Sequence, residues 1–262
     1  MENNLNIAFL QQDIIWEDTA ANLAKLDVLL NNLKQGTDLV ILPEMFHAGF
    51  TMEPEKIAES ENGRVVKWMK EKASLMGAPV MGSVIIGENG SFYNRLFVVY
   101  HDGNYVTYDK RHLFSIGGEN DNYRPGNKRV VVELKGWRIL PLICYDLRFP
   151  VWSRNRNDYD LLVYVANWPA SRRYVWKTLL KARALENQCY VIGVNRVGSD
   201  KETEYTGDSM VIDFKGKVMA EAAENEEQLL YAGLSLDKLN AFREKFPAWK
   251  DADDFEIKGI PE

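Results

Sequence analysis

The chain has 262 residues, 46% of them apolar and 27% charged, enough for one large hydrophobic core or at most two small ones. Asp and Glu outnumber Lys and Arg by 38 to 32, and the net charge of -6 argues against a nucleic-acid-binding surface. Two cysteines build no disulfide framework, no apolar run reaches a membrane span, and MENNLNIAFLQQDIIW lacks the basic start of a secretory signal, so a soluble cytoplasmic protein is expected.

Leu5–Gln11 reads as a short apolar strand. Asp18–Leu33 places Leu23, Leu26, Leu30 and Leu33 near one helical face, with Asp18 or Thr19 as N-cap and Gly36 beyond the end. Asp38–Leu42 (DLVIL) is a buried strand that stops at Pro43-Glu44. Glu59–Met76 is a second helical pattern, closed by Gly77. Pro79–Gly87 and Phe92–Tyr100 are strands joined at Asn89-Gly90, a strong hairpin signal. Tyr105–Asp109 is another strand and ends at Lys110. Leu113–Lys128, rich in Gly, Asn and Asp, is a long loop, and loops of that length are usually functional. Arg129–Leu134 and Trp137–Ile143 form a hairpin around Lys135-Gly136. It leads into Cys144 and a helical turn opened by Pro150. Asp160–Ala166 echoes Asp38–Leu42, and a helix over Trp168–Asn187 follows. Tyr190–Asn195, Ser209–Asp213 and Leu229–Leu234 are strands, and Leu236–Phe246 is an amphipathic helix. The acidic tail from about residue 247 is expected to reach another subunit. The two halves repeat strand, helix, strand, hairpin, which predicts one α/β domain over 1–262 with two helix-covered sheets.

Three ionisable groups share one structural position. Glu44, Lys110 and Cys144 each stand just past the C-terminal end of a strand, where α/β folds gather their chemistry. Alone, each has an ordinary role: Glu44 as a helix cap, Lys110 as a solvated loop charge, Cys144 as core. Together they suit a nucleophile. A thiol attacks only as thiolate, so it needs a base and local positive charge. Glu44 is the candidate base, and Lys110 with the Tyr145 N–H the candidate oxyanion donors. His47, His101 and His112 lack strand-end placement, although His112 lies close enough to Lys110 to leave a Cys–His pair open. A thiol redox sensor would favour a resolving cysteine near Cys144. Cys189, in a different apolar strand, is expected to be buried and inert.

The motifs Leu42-Pro43-Glu44-Met45-Phe46, Tyr108-Asp109-Lys110-Arg111-His112-Leu113-Phe114 and Leu142-Ile143-Cys144-Tyr145-Asp146-Leu147-Arg148-Phe149-Pro150 occur in the order found in the nitrilase, or carbon–nitrogen hydrolase, superfamily. The chain resembles that superfamily over nearly its full length. The resemblance implies a four-layer αββα sandwich, a Glu44–Lys110–Cys144 triad, no cofactor or metal, and a homodimer formed through helices near the cysteine. Gly118-Glu119 with Tyr123-Arg124-Pro125-Gly126 looks like the superfamily's second-glutamate motif. It makes Glu119 a fourth site residue that orients Lys110 or assists proton transfer. Asn167-Trp168-Pro169-Ala170-Ser171-Arg172 and the run Ala182–Gly198 look most like the ω-amidase branch. That branch cleaves the terminal amide of α-keto acid amides such as 2-oxoglutaramate and 2-oxosuccinamate.

Such a substrate carries a carboxylate, for which arginine is the natural partner. Arg148, Arg172 and Arg173 are the candidates, with an ion pair to Asp146 the ordinary alternative for Arg148. Phe114, Tyr123 and Trp168 are the candidate pocket walls, and Asp208 is a turn residue expected near the site rim. The rival readings are another small amide (an N-carbamoyl compound or a deaminated glutathione), a nitrile, and a scaffold without catalysis. Family nitrilases tend to carry Trp-Glu after the cysteine, where this chain has Tyr145-Asp146, and a scaffold would have lost a triad member.

Overall fold

The structure is a computed structural model that describes residues 3–258. In chain order it contains β1 (Asn4–Gln11), α1 (Thr19–Leu30), β2 (Leu39–Ile41), α2 (Arg64–Met76), β3 (Val80–Glu88), β4 (Ser91–Val99) and β5 (Tyr105–Asp109). The short helix α3 (Glu119–Asn122) precedes β6 (Val132–Leu134), β7 (Trp137–Ile143), α4 (Pro150–Ser153), β8 (Leu161–Ala166), α5 (Arg173–Asn187) and β9 (Tyr190–Asn195). The chain ends through β10 (Val197–Ser199), β11 (Glu204–Thr206), β12 (Met210–Ile212), β13 (Val218–Glu221), β14 (Gln228–Ser235) and α6 (Leu236–Lys245).

Two six-stranded sheets result, in the orders β14-β1-β2-β3-β4-β5 and β13-β12-β9-β8-β7-β6. The echo between halves is now explicit. In one sheet β1, β2 and β3 are parallel, with antiparallel β4, β5 on one side and β14 on the other. In the other, β7, β8 and β9 are parallel, with antiparallel β12, β13 and β6 in the matching places.

Alternation along the strands sets the layers. Ile7, Phe9, Leu39 and Ile41 face the second sheet and join one continuous core with Ile139, Leu142, Leu161 and Val163. Ala8, Leu10, Val40 and Leu42 point the other way, onto Leu23, Leu26 and Leu30 of α1 and Val65, Val66 and Met69 of α2. Trp176, Leu180 and Ala184 of α5 cover the second sheet. The architecture is therefore the αββα sandwich expected. No helix among the described residues is long and apolar enough to cross a membrane.

Several boundaries differ from the sequence reading for local reasons. Helix α2 starts at Arg64 and not at Glu59, because the Glu59 carboxylate accepts the Val65 N–H at 2.8 Å and so caps the helix from outside. Helix α5 starts at Arg173, because Pro169 sits in extended backbone and the next three residues form a 3-10 turn. Asn89 and Gly90 both adopt positive φ, 51° and 74°, the conformation of a two-residue hairpin turn whose twist matches the flanking strands. The tail folds back on its own chain as far as it is described: the Arg156 guanidinium lies 4.3 Å from the Phe255 ring centroid and donates to the Phe255 carbonyl. Residues 259–262 lie outside the described residues.

Candidate active site

The parallel strands bring the chemistry to one end of the molecule. Strand β5 is antiparallel to β4, which is antiparallel to β3, so β5 runs in the direction of β2. Glu44 and Lys110 thus leave the same edge of the first sheet. Cys144 and Asn167 follow the adjacent parallel strands β7 and β8 of the facing sheet. Glu44, Lys110, Glu119 and Cys144 meet between the two sheets.

Lys110 is the hub. Its Nζ donates to Glu44 Oε1 at 2.9 Å and to Glu119 Oε1 and Oε2 at 3.0 and 2.9 Å, and all three side chains are fully buried. Burial alone would lower the lysine's pKa. The carboxylates of Glu119 and Glu44 reverse that and hold it above the usual lysine value. Burial pushes Glu119 up, Lys110 opposes the shift, and Glu44 adds to it. The Phe114 N–H donates to Glu119 Oε2 at 2.6 Å and fixes that carboxylate.

Two asparagines complete the frame. Asn94 Nδ2 donates to Glu44 Oε1 at 2.8 Å and reaches Glu119 Oε1 at 3.4 Å. The Asn167 N–H donates to Glu44 Oε2 at 2.8 Å, and its Nδ2 donates to the Glu44 carbonyl at 2.6 Å. Oε1 is therefore filled by Lys110 and Asn94, while Oε2 retains a site beside the Asn167 N–H for the thiol proton. Burial raises the Cys144 thiol well above its ordinary pKa; Glu44, also its hydrogen-bond partner, raises it further, and Lys110 opposes. A thiol attacks only once its proton is removed, and the carboxylate this one contacts is that of Glu44.

Cys144 has φ of 44°, in the left-handed region, immediately after the extended Ile143. This strained link turns the strand sharply into a 3-10 turn, Cys144–Arg148. The Tyr145 N–H precedes the first bond of that turn, so the turn does not use it. Asp146 locks the turn: it accepts the Ile143 N–H at 3.0 Å, the Tyr108 hydroxyl at 2.7 Å and the His112 N–H at 3.0 Å. The His112 ring bonds Asp146 Oδ1 through Nδ1 at 2.8 Å and stacks on Phe149 at 3.8 Å, which leaves it a brace for the turn and removes it as the base for Cys144.

Cys144 is half-buried and opens on a cavity of about 350 Å³. Phe114, Tyr145, Arg148, Trp168 and Arg172 line it, as do Phe50, Thr51 and the tip of the β10–β11 hairpin. Arg148 lies 5.3 Å over Trp168 and Arg172 lies 5.1 Å over Phe114. Neither guanidinium has an ion pair or hydrogen bond among the described residues, and Asp146, the ordinary partner considered for Arg148, is taken by Ile143, Tyr108 and His112.

Three expectations are corrected. Tyr123 does not line the cavity; its buried ring packs with Met45, Ala48 and Ile85, and its hydroxyl donates to the Thr51 carbonyl at 2.8 Å, so it braces the wall from behind. Arg173 is spent on Asp208, at 2.7 and 3.1 Å, and on Glu224, at 2.7 Å, and does not line the cavity. Asp208 anchors that ion pair and lines no part of the cavity. Cys189 is fully buried, as expected. Asn94, Asn167 and the lining hairpin went unassigned in the sequence. The signal for the two asparagines is a polar residue in or just beyond an apolar strand, and the hairpin carries none.

A four-layer sandwich with a buried carboxylate–lysine–thiol cluster at its strand ends defines a class of hydrolases, and comparison with known proteins agrees. Residues 6–244 match the family model for carbon–nitrogen hydrolases. The chain is 50% identical over 254 residues to the omega-amidase YafV of Escherichia coli K12, covering 97% of this chain and 98% of that protein. It is 32% identical over 250 residues to the 2-oxoglutaramate amidase of Bacillus subtilis, covering 94% and 96%. The crystal structure of XC1258 from Xanthomonas campestris, a CN-hydrolase superfamily protein with an arsenic adduct in its active site, has a TM-score of 0.94 at 44% identity and covers 97% of this chain and 99% of its own. The chain belongs to the carbon–nitrogen hydrolase family.

Proposed function

We propose that this enzyme is an ω-amidase that hydrolyses the terminal amide of a small dicarboxylic monoamide, such as 2-oxoglutaramate or 2-oxosuccinamate, to the acid and ammonia. The observation that carries the reading is the pair of unengaged guanidiniums, Arg148 and Arg172, in the same cavity as Cys144. A neutral amide would leave both without a partner. The omega-amidase and 2-oxoglutaramate amidase relatives support the same substrate class.

In this mechanism Cys144 Sγ attacks the amide carbon while Glu44 takes the thiol proton. Lys110 and the Tyr145 N–H hold the oxyanion. The C–N bond breaks as Glu44 passes the proton to the departing nitrogen, which leaves ammonia and a thioester. Water then attacks the thioester and gives a proton to Glu44; the C–S bond breaks and the proton returns to sulfur. Glu119 fixes Lys110 throughout. Residues 1–262 act as one catalytic domain. The unpaired thiols of Cys144 and Cys189 suit a cytoplasmic enzyme. Val151 of α4, 55% exposed, and Tyr174 and Leu185 of α5, 78% and 53% exposed, suit a homodimer contact near the cysteine.

The test is ammonia release from 2-oxoglutaramate, succinamate, glutamine and a simple nitrile. Activity on the first two, abolished in Cys144→Ala and reduced roughly 10- to 150-fold in kcat/KM by loss of the carboxylate's arginine, is expected. Wild-type activity on none of them would overturn the substrate assignment.

A further inference from the structure

We infer that the Phe114 ring couples the substrate's carboxylate to the reacting centre, with Arg172 as the arginine that holds the carboxylate. The inference rests on the ω-amidase reading and deepens it. Phe114 is where three parts of the site join. Its N–H fixes Glu119 at 2.6 Å, and Glu119 holds Lys110 at 2.9 and 3.0 Å. Its ring carries the Arg172 guanidinium at 5.1 Å from the centroid. The same ring makes an edge contact with Tyr145, centroids 5.1 Å apart and planes at 68°, and Tyr145 supplies the oxyanion N–H. Arg148 rests instead on Trp168, whose N–H is tied to Asn195 Oδ1 at 2.7 Å and whose Nε1 is tied to the Arg172 carbonyl at 2.9 Å. That path leads into the frame of the second sheet and meets Glu44 alone, through the Asn167 N–H next in the chain at 2.8 Å, whereas the Phe114 path holds Glu119 and through it Lys110.

The segment carrying Phe114 has little packing of its own. Ser115, Ile116 and Gly117 are exposed, Ile116 at 84%. The ring lies against the bare backbone of Gly117, where an added Cβ would stand 2.5 Å from Phe114 Cδ1 and 2.8 Å from Cε1. A carboxylate seated on Arg172 presses the guanidinium onto the ring, and the ring holds both the Glu119 contact and Tyr145 in register. Binding energy from the unreacting end of the substrate is thereby spent on orientation at the reacting end, and it appears in kcat as well as in KM.

The experiment compares succinamate with its neutral methyl ester in the full-length protein and in Phe114→Leu, Gly117→Ala, Arg172→Met and Phe114→Leu/Arg172→Met. Gly117→Ala keeps the phenyl ring and only displaces it, so it separates position from bulk. Each single variant is expected to lower the succinamate-to-ester ratio of kcat about tenfold, since small misplacements carry penalties of that order. The double variant is expected to lower it no further than Arg172→Met alone. A rise in KM with the kcat ratio intact would make Phe114 a passive wall, and an equal fall in kcat for both substrates would make it merely structural. Loss of the ratio in Arg148→Met but not in Arg172→Met would also overturn the coupling while leaving the ω-amidase reading in place. A wild type without preference for succinamate over its ester would defeat that reading itself, and the coupling with it.

Discussion

Lys110→Met tests the charge arrangement of the site through stability and does not depend on knowing the substrate. In the native cluster one buried ammonium serves two buried carboxylates. Without it, Glu44 keeps Asn94 Nδ2 and the Asn167 N–H, both at 2.8 Å. Glu119 keeps the Phe114 N–H at 2.6 Å and a long contact to Asn94 at 3.4 Å. Removing one partner from a buried ion pair costs about 3–5 kcal/mol. Against a typical total stability of about 5–15 kcal/mol, that is a large share of what holds the fold. The pH dependence follows from Glu119. Its pKa is already raised by burial, with Lys110 pulling it down and Glu44 pushing it up. Deleting the lysine removes the downward pull. A carboxyl whose folded pKa lies above its unfolded value binds more protons when folded, so its penalty is full above the folded pKa and relieved as pH falls. The gap to wild type should therefore close by about 1.4 kcal/mol per pH unit between that pKa and the lower, though still raised, folded pKa of Glu119 in the wild type. Glu119→Gln in the same background removes one of the two charges and should recover about 2 kcal/mol or more at pH 8. Urea unfolding at pH 8, 7 and 6, extrapolated linearly, measures all three quantities. A gap that does not change with pH, or one that Glu119→Gln leaves untouched, would refute the charge arrangement. Loss of activity in the same variant would discriminate far less, because several mechanisms need a lysine there.

Asn94→Leu keeps the approximate size of the side chain and removes its donor to Glu44; a hydrogen bond to a charged group is worth about 1.5–3 kcal/mol, so kcat/KM for amide hydrolysis should fall roughly 10- to 150-fold, and unchanged kinetics would remove Asn94 from the site. His47 is buried without a hydrogen-bond partner on either ring nitrogen, and burial lowers its pKa from 6.5 to about 3. Its unfolded form takes up a proton below pH 6.5, so stability is lost as pH falls from 6.5 toward 3, amounting to about 2 kcal/mol between pH 7 and 5. His47→Leu should lose that much less over the same interval in urea melts, and an equal loss would show that His47 is not held neutral.

What could be read from the sequence, and what could not, divides along a physical line. Glu44, Lys110 and Cys144 are legible because each ends an apolar run abruptly, and the geometry of a strand end follows from the run alone. The layered fold is legible for the same reason: β1, β2, β7, β8 and β9 are buried strands, and their alternation fixes which residues face which layer. The strands β10, β11 and β13 escape notice because they are short and half-exposed; V-G-S and E-Y-T carry no apolar run. The cavity is illegible for a deeper reason. Arg172 and Arg173 are neighbours in sequence with the same chemistry. One ends a 3-10 turn with its guanidinium over Phe114; the other begins α5 and pairs with Asp208 and Glu224. A change of helix type between two adjacent residues turns their side chains apart, and no composition or period records it. Asn94 and Asn167 show the same limit: Glu44 binds partners from β4 in its own sheet and from the end of β8 in the opposite one. Such a site is a property of how the sheets stack. It becomes visible only when the strand ends are set against each other, which is also why the variants that probe it best are those that alter a neighbour's support and leave the thiol untouched.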